Sequence, residues 1–381
     1  MRILAIESSC DETGAAIIED GRLIHANVVA SQASIHERYG GVVPEVASRQ
    51  QLAALIPVIE SALVEASASW DSIDAIAATY GPGLAGSLLV GLAGGKALSV
   101  ARDLPFIGVN HLEAHIYANW LRPLGSARPT DAPADGLDPW SDDPRFPLLA
   151  LVVSGAHTEL VYIPRHGHYE LLGQTRDDAS GEAFDKVARL LGLGYPGGPA
   201  IERAASQRDM SAPNPYRLPR AWLRGTWDFS FSGLKTAVLD LIQGGRDRSA
   251  ERGASRYRRA GEALGAGAGV SIPDVAAAFQ EAVVDVLATK TVRATEELSV
   301  RQVVLAGGVA ANLSLRERLT RDLAPLDVSL RFPPVPLCTD NAAMIGAAAF
   351  FHLALGERSG LDLDVRPGLQ LPFTNRTAAE V

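Results

Sequence analysis

The sequence predicts an α/β protein of two related lobes, and three observations predict it. Short apolar runs of strand length alternate with longer stretches of helical periodicity along most of the 381 residues, the pattern of strands joined by helices. A layout of buried strand, small polar turn and second strand occurs twice, at 3–18 around ESSCDETG and at 146–163 around SGAHTE. An internal duplication, one copy opening each lobe, stands there against two unrelated hairpins. Apolar residues make up 47% of the chain and charged residues 21%, which permits a sizeable core and excludes a disordered or fibrous protein.

The elements follow in order. Residues 3–6 and 15–18 read as strands, 51–64 as a helix, 73–79 as a strand, 87–101 as a helix and 106–110 as a strand. Residues 123–147 hold six prolines and five Asp with little periodicity and a net charge of −3; they read as a linker or surface insertion. The second lobe then carries strands at 146–153 and 160–163, a helix at 181–192, a Pro/Gly turn (YPGGP), a helix at 274–297, a strand at 302–306, and helices at 312–323 and 340–355. Residues 244–269 interrupt it with six Arg against three acids, either a solvated loop or a binding segment. The expected division is an N-terminal lobe at 1–122, the acidic stretch at 123–147, a C-terminal lobe at 148–355 with the basic insertion at 244–269, and a tail at 356–381.

The net charge of −9 excludes a surface that is basic all over, so a nucleic-acid partner must meet a local patch. Arg217, Arg220, Arg224 and Lys235 lie close in sequence and, with the 246–259 arginines, are the candidates. Two cysteines, Cys10 and Cys338, exclude a disulfide framework and an all-cysteine zinc site. The start lacks the pattern of a signal peptide, and no window holds about eighteen uninterrupted apolar residues. The expectation is a soluble cytoplasmic protein without a membrane partner.

Gly81, Gly83 and Gly86 form G-x-G-x-x-G between a strand and a helix. A dinucleotide site would place an acid at the end of the next strand, yet that strand ends Val109-Asn110-His111, so the glycines read as a tight turn. A phosphate loop is absent: Ala97 follows Gly95-Lys96, and Val90 stands where its first glycine belongs. His111 and His115 are four apart. On a helix they share one face and can share a metal, or they are packing histidines. A metalloprotease needs its Glu beside the first His. Glu113 instead lies about 200° around such a helix from His111, which excludes that chemistry. Asp340, in CTDN, supplies a third ligand or caps the helix that follows. Asp185, with Gly197-Gly198 turning back near it, clasps ribose hydroxyls or is a plain helix acid. In LAGGVAAN the glycines admit a ligand to a helix N-terminus, or Asn312 simply caps it. Asp11 and Glu12 sit in the first polar turn, where turn chemistry alone would also explain them.

Together the segments AIESSCDETGAAI, YGGVVPEVASR, YGPGLAGSLLVG, NHLEAHIYA, VVSGAHTELV, GEAFDKVARLLGLGYPGGP, FSFSGLKTAV, LAGGVAANLSLR and CTDNAAMIG closely resemble the tRNA threonylcarbamoyladenosine-forming transferases, the bacterial TsaD type once misnamed glycoproteases. They run in the family's order from the first strand to about residue 350. The resemblance implies an actin/hexokinase/Hsp70-type (ASKHA) fold with nucleotide in the cleft between two lobes. It implies one divalent metal, Fe2+ or else Zn2+, on His111, His115 and Asp340. It implies threonylcarbamoyl-AMP as substrate, held by Val152, Val153, Ser154, Gly155, Ala156, Asp185, Gly198 and Asn312, with Asp11 and Glu12 bordering the reaction. The implied partners are tRNA, the inactive paralogue TsaB and the small ATPase TsaE. Two residues depart from the family: Ala156 replaces a glycine, and Gln51 stands near a customary His. A small-molecule kinase on the same fold and a non-catalytic scaffold are the competing readings, and neither has a use for two His and one Asp with metal spacing.

Overall fold

The first lobe is built around an apolar strand buried on both faces. In the computed structural model, which describes residues 1–39, 41–123, 144–242 and 270–374, β1 (Arg2–Glu7) buries Ile3, Leu4, Ala5 and Ile6 completely. It pairs antiparallel with β2 (Glu12–Glu19), which pairs antiparallel with β3 (Leu23–Ser31). Two helices follow, α1 (Ala33–Glu37) and α2 (Pro44–Glu65). The sheet's other side is completed in parallel by β4 (Ala75–Gly81), α3 (Ala85–Arg102) and β5 (Phe106–Asn110). α4 (His111–Tyr117) springs from the end of β5, and a short β6 (Arg122–Pro123) adds to β3.

The second lobe repeats the plan. β7 (Leu148–Val153), β8 (Thr158–Arg165) and β9 (His168–Gln174) form the antiparallel meander. α5 (Ser180–Leu190), α6 (Gly197–Ser206), α7 (Ser232–Ile242) and α8 (Ile272–Leu298) cover it. β10 (Gln302–Ala306), α9 (Leu313–Leu323) and β11 (Ser329–Arg331) supply the parallel side. The strand orders are β5-β4-β1-β2-β3-β6 and β11-β10-β7-β8-β9. Apart from β6 the two sheets have the same order and the same strand directions, so the duplication read from the two turns is the architecture. After α10 (Val335–Cys338), the Ala-rich α11 (Ala342–Ala354) returns to the first lobe and packs on β1, β2, β5 and α4. A core of Ile3, Ala5, Leu148, Val152 and α11 residues thereby spans both lobes.

Most boundaries agree with the pattern; the differences have physical causes. α2 begins at Pro44, seven residues before its periodicity is readable, because a proline suits the first helical position. β3 and β9 are half-exposed strands, so neither forms a continuous apolar run. Gly197-Gly198 does not merely turn back: it starts α6. A Cβ on Gly197 would lie 2.5 Å from Asp185 Cα, so only glycine lets the two helices approach there. Gly81 and Gly83 are likewise steric, facing the Arg366 and Ser9 carbonyls. Most of 123–147, all of the basic insertion at 244–269, and 375–381 lie outside the described residues. Residues 359–370 of the tail run along the first lobe: Ser359 N donates to Phe106 O, and Asn110 Nδ2 to Gln370 O.

Candidate active site

α4 exists where it does because Asn110 ends β5 and caps the helix, its Oδ1 accepting from Leu112 N at 2.9 Å and Glu113 N at 3.3 Å. The helix therefore starts at His111, and His111 and His115 fall one turn apart on the face toward the second lobe's last connection. Asp340 enters there between α10 and α11. His111 Nε2 lies 3.5 Å and His115 Nε2 3.2 Å from the same oxygen, Asp340 Oδ1. One ligand atom from each of the three lies within 4.8 Å of the others. Asp340 does not cap α11; Asn341 does, its side chain accepting from Met344 N. Its Oδ1 is thus left to the imidazoles.

The donor set fits a divalent cation. Both ring nitrogens of His115 are buried without a hydrogen-bond partner, a costly state that coordination would relieve at Nε2, the nitrogen facing Asp340. Behind His111 stands Glu7, fully buried; His111 Nδ1 donates to its Oε2 at 3.1 Å, which leaves Nε2 facing Asp340. Thr79 Oγ1 donates to the same Glu7 oxygen at 2.6 Å. Burial pulls His111 down, but Asp340 and Glu7 outweigh it and raise it well above the ordinary value. Burial lowers His115. Burial would raise Asp340, yet the two imidazoles hold it well below the usual carboxylate range. The centre thus already places one positive charge against one carboxylate, where a metal ion would take the proton's place.

The loop between β1 and β2 brings Asp11 and Glu12 beside this centre. Ser9 Oγ reaches Asp340 Oδ2 at 3.5 Å. Glu12 is pushed up to about 9 by burial, then by the charges of Asp340 and Asp11. The Cys10 thiol is raised far beyond its ordinary value by burial, Asp11 and Asp340, which leaves it without thiolate character.

Across the cleft four turns converge. A Cβ on Gly181 would meet Ser154 O at 2.5 Å, and one on Gly307 would meet Val153 O at 2.5 Å. The turns at 152–156, 180–185, 197–198 and 307–312 are therefore in contact. Gly155, Gly198 and Gly308, in contrast, have nothing within 4 Å on their open side, a cradle that side chains would fill. Val152 and Val153 bury their side chains in the core and can offer only backbone. Ser154 Oγ accepts from His157 N at 3.1 Å and closes that turn. Ala156 has no positive φ, so its methyl is unstrained. Asp185 accepts from Gly197 N at 2.7 Å, and burial raises its carboxyl. The Asn312 amide is engaged: it caps α9 by accepting from Leu315 N at 3.0 Å and donates to Gln280 Oε1 at 2.9 Å.

Sequence reasoning missed Glu7, His157 and Tyr195. His157 is pushed down to about 4 by burial and by the neighbouring His111 and His115. Tyr195 is raised by burial and by the charges of Asp11 and Asp185. Glu7 had a legible signal, an acid closing an otherwise apolar strand.

This chain is similar to known proteins over its length. A family model described as tRNA N6-adenosine threonylcarbamoyltransferase matches residues 23–347. A protein of that name from Thermomicrobium roseum is 52% identical, covering 99% of this chain and 98% of the relative. One from Dehalococcoides mccartyi is 51% identical over 97% of this chain and 99% of its own, and one from Bacillus cereus is 47% identical over 97% and 96%. Among solved structures, full-length HypF in the phosphate- and nucleotide-bound form matches at 14% identity and a TM-score of 0.54, covering 93% of this chain and 47% of that one. HypF from T. kodakarensis matches at 15% and 0.53, covering 93% and 48%. At such identities these two bear on the fold alone, the actin/hexokinase-like architecture.

Proposed function

The chain belongs to the tRNA N6-adenosine threonylcarbamoyltransferase family, and from that premise we propose that its cleft transfers the threonylcarbamoyl group of threonylcarbamoyl-AMP to N6 of the adenosine 3′ of the anticodon in tRNAs reading ANN codons, releasing AMP. The observation that carries this reading is the convergence of His111, His115 and Asp340 beside open glycine turns. The enzyme is an acyltransferase. Nothing in the site favours the kinase alternative.

The metal ligands in this reading are His111, His115 and Asp340. Two imidazoles and one carboxylate with positions left open suit Fe2+, with Zn2+ the alternative; the ion supplies Lewis acidity toward the carbamoyl carbonyl and phosphate oxygens. The backbone amides of Ser154, Gly155, Ala156 and the Gly307-Gly308 turn surround the adenylate, and Asp185 and Gly198 border its ribose. Asn312 contributes by holding the α9 end of that cradle. The N6 amine forms a C–N bond to the carbamoyl carbon, the bond from that carbon to the phosphate oxygen breaks, and its electron pair leaves with AMP. Asp11 orients the amine and takes its proton. Glu12 borders the reaction beside Asp11.

We assign the tRNA surface to the exposed Arg217, Arg224 and half-exposed Lys235. Arg220 does not join them, because its guanidinium is taken up by Asp285 at 2.6 Å and Glu281 at 3.3 Å. The 246–259 arginines lie outside the described residues. Among the described residues no helix is long and apolar enough to cross a membrane, and we place the reaction in the cytoplasm, with TsaB and TsaE as working partners. The apolar Leu52, Ile56 and Leu89, exposed on the neighbouring α2 and α3, offer a surface for such a partner.

The test supplies threonylcarbamoyl-AMP and unmodified tRNA, with and without the two partners, and reads the modified nucleoside by mass. Its absence in every combination would overturn the proposal. Binding to tRNA should weaken steeply with salt.

A further inference from the structure

The acid loop carries its reactive side chains on a backbone whose carbonyls are all accounted for, and one side chain accounts for most of them. Gln51, on α2 and wholly buried, donates from Nε2 to Ser8 O at 3.2 Å, Cys10 O at 3.0 Å and Glu12 O at 3.2 Å. Leu84 N serves Ser9 O at 2.8 Å, and Gln32 N serves Asp11 O at 3.1 Å. Ser87 Oγ, on α3, adds a second donor to Cys10 O at 3.0 Å. The amide can stand in only one orientation, since the reverse would set its oxygen against three carbonyl oxygens. In the orientation present, Gln51 Oε1 is buried and has no partner. An acceptor left bare in the core is a cost, so the side chain is placed for its donors, and those donors serve one loop.

We infer that Gln51 is a positioning residue for the transfer reaction: its amide clamps the Ser8–Glu12 backbone to α2 and so sets where Asp11 and Glu12 stand relative to Asp340. This rests on the function proposed above. Gln51 touches neither substrate nor reacting atoms; it acts through the loop. Without it Ser8 O and Glu12 O would seek other donors, Cys10 O would keep only Ser87 Oγ, and the two carboxyls would be displaced from the attacking amine. A misplacement of about 1 Å at such a point costs about 10²-fold in rate.

Gln51→Met keeps the length of the side chain and removes both donors; Gln51→His restores one ring N–H at similar reach. The measurements are amide hydrogen exchange of residues 8–12, metal content, and kcat and KM for transfer to tRNA. The expected result for Gln51→Met is at least tenfold faster exchange confined to the loop, unchanged metal content, kcat lower by about 10²-fold and KM for threonylcarbamoyl-AMP within threefold. Gln51→His should regain most of the rate. Loop exchange equal to wild type in Gln51→Met, or kcat within twofold of it, would overturn the inference. Should Gln51→Met not fold, a folded Gln51→His decides: activity near wild type supports the clamp, and loss as deep as 10²-fold overturns it. Failure of wild type to transfer at all would strike the proposed function, while the exchange measurement still reads the clamp.

Discussion

The two faces of α4 use the same kinds of side chain to opposite ends. On one, His111 and His115 meet Asp340 at a site where both His115 nitrogens are buried without a hydrogen-bond partner. On the other, Glu113 is just as buried, yet both its oxygens are satisfied: Tyr169 Oη donates to Oε1, and His352 Nε2 lies 2.8 Å from Oε2. His352 closes the chain with its Nδ1 at 2.7 Å from Glu357. A saturated buried network holds elements together, here α4 to β9 and α11, and asks nothing further of its surroundings. A buried group left short of a partner marks a place where something else is meant to bind. The difference is one of completed valence, since charge and burial are alike on both sides.

The largest effect tests whether the unsaturated face alone serves the reaction. His115→Ala or Asp340→Ala should abolish metal binding and lower transfer by at least about 10³-fold, beyond the 10–100-fold that follows loss of a group behind a ligand. The melting temperature should change little, because the pocket is already strained by unpaired groups. Metal analysis and single-turnover transfer check this. Full metal content in either variant would break the distinction between the faces.

Next is the saturated face. Glu113→Ala strands His352 and Tyr169 and should destabilise by about 3–5 kcal/mol in denaturant titration, while the protein that remains folded binds metal as wild type does. Coupled loss of metal would show that the faces are not independent.

The sequence made much of this legible. His111 and His115 are readable because helix geometry makes four-residue spacing a shared face, and Asp340 because the CTDN segment resembles a known ligand position. The rejection of protease chemistry at Glu113 is also readable, since the same geometry turns it away; what occupies its far side is not. Tyr169 and His352 lie 56 and 239 residues from Glu113, and no local pattern pairs them. The partners of Glu7 and Gln51 escape for a related reason: both residues stand out in the sequence, but their hydrogen bonds go to a loop and to a histidine brought in by the sheet and by α2. The duplicated sheet was visible through its two polar turns, but the return of α11 to the first lobe was not, because an Ala-rich helix buried all round carries no face that names its neighbour.

The saturated face also predicts a pH dependence. His352 is raised to about 9: burial opposes its charge, but Glu113 and Glu357 outweigh burial. Its contribution to stability is complete below about 6.5, the ordinary value, and is lost as pH rises through 9, roughly 3 kcal/mol in all. Denaturant titrations between pH 6 and 10 should show that loss, and His352→Gln should flatten it. An unchanged slope in the variant would assign the dependence elsewhere.

The smallest effect sharpens the contrast most, because it replaces a carboxylate by its amide on each face. Glu7 receives His111 Nδ1, Thr79 Oγ1 and Ser9 N, three donors on two oxygens. An amide keeps one oxygen and turns the other position into a donor, so Glu7→Gln must set an N–H against at least one of the three. His111 then loses the partner that fixes its tautomer, or the acid loop loses its anchor. Metal affinity measured by chelator competition should fall about 10–100-fold. Glu113→Gln alters a group that likewise receives donors, but on the far side of the helix, and should leave the affinity within about twofold while lowering stability. Equal losses of affinity from the two substitutions would mean that α4 transmits strain between its faces as a rigid body, and that completed valence is not what separates them.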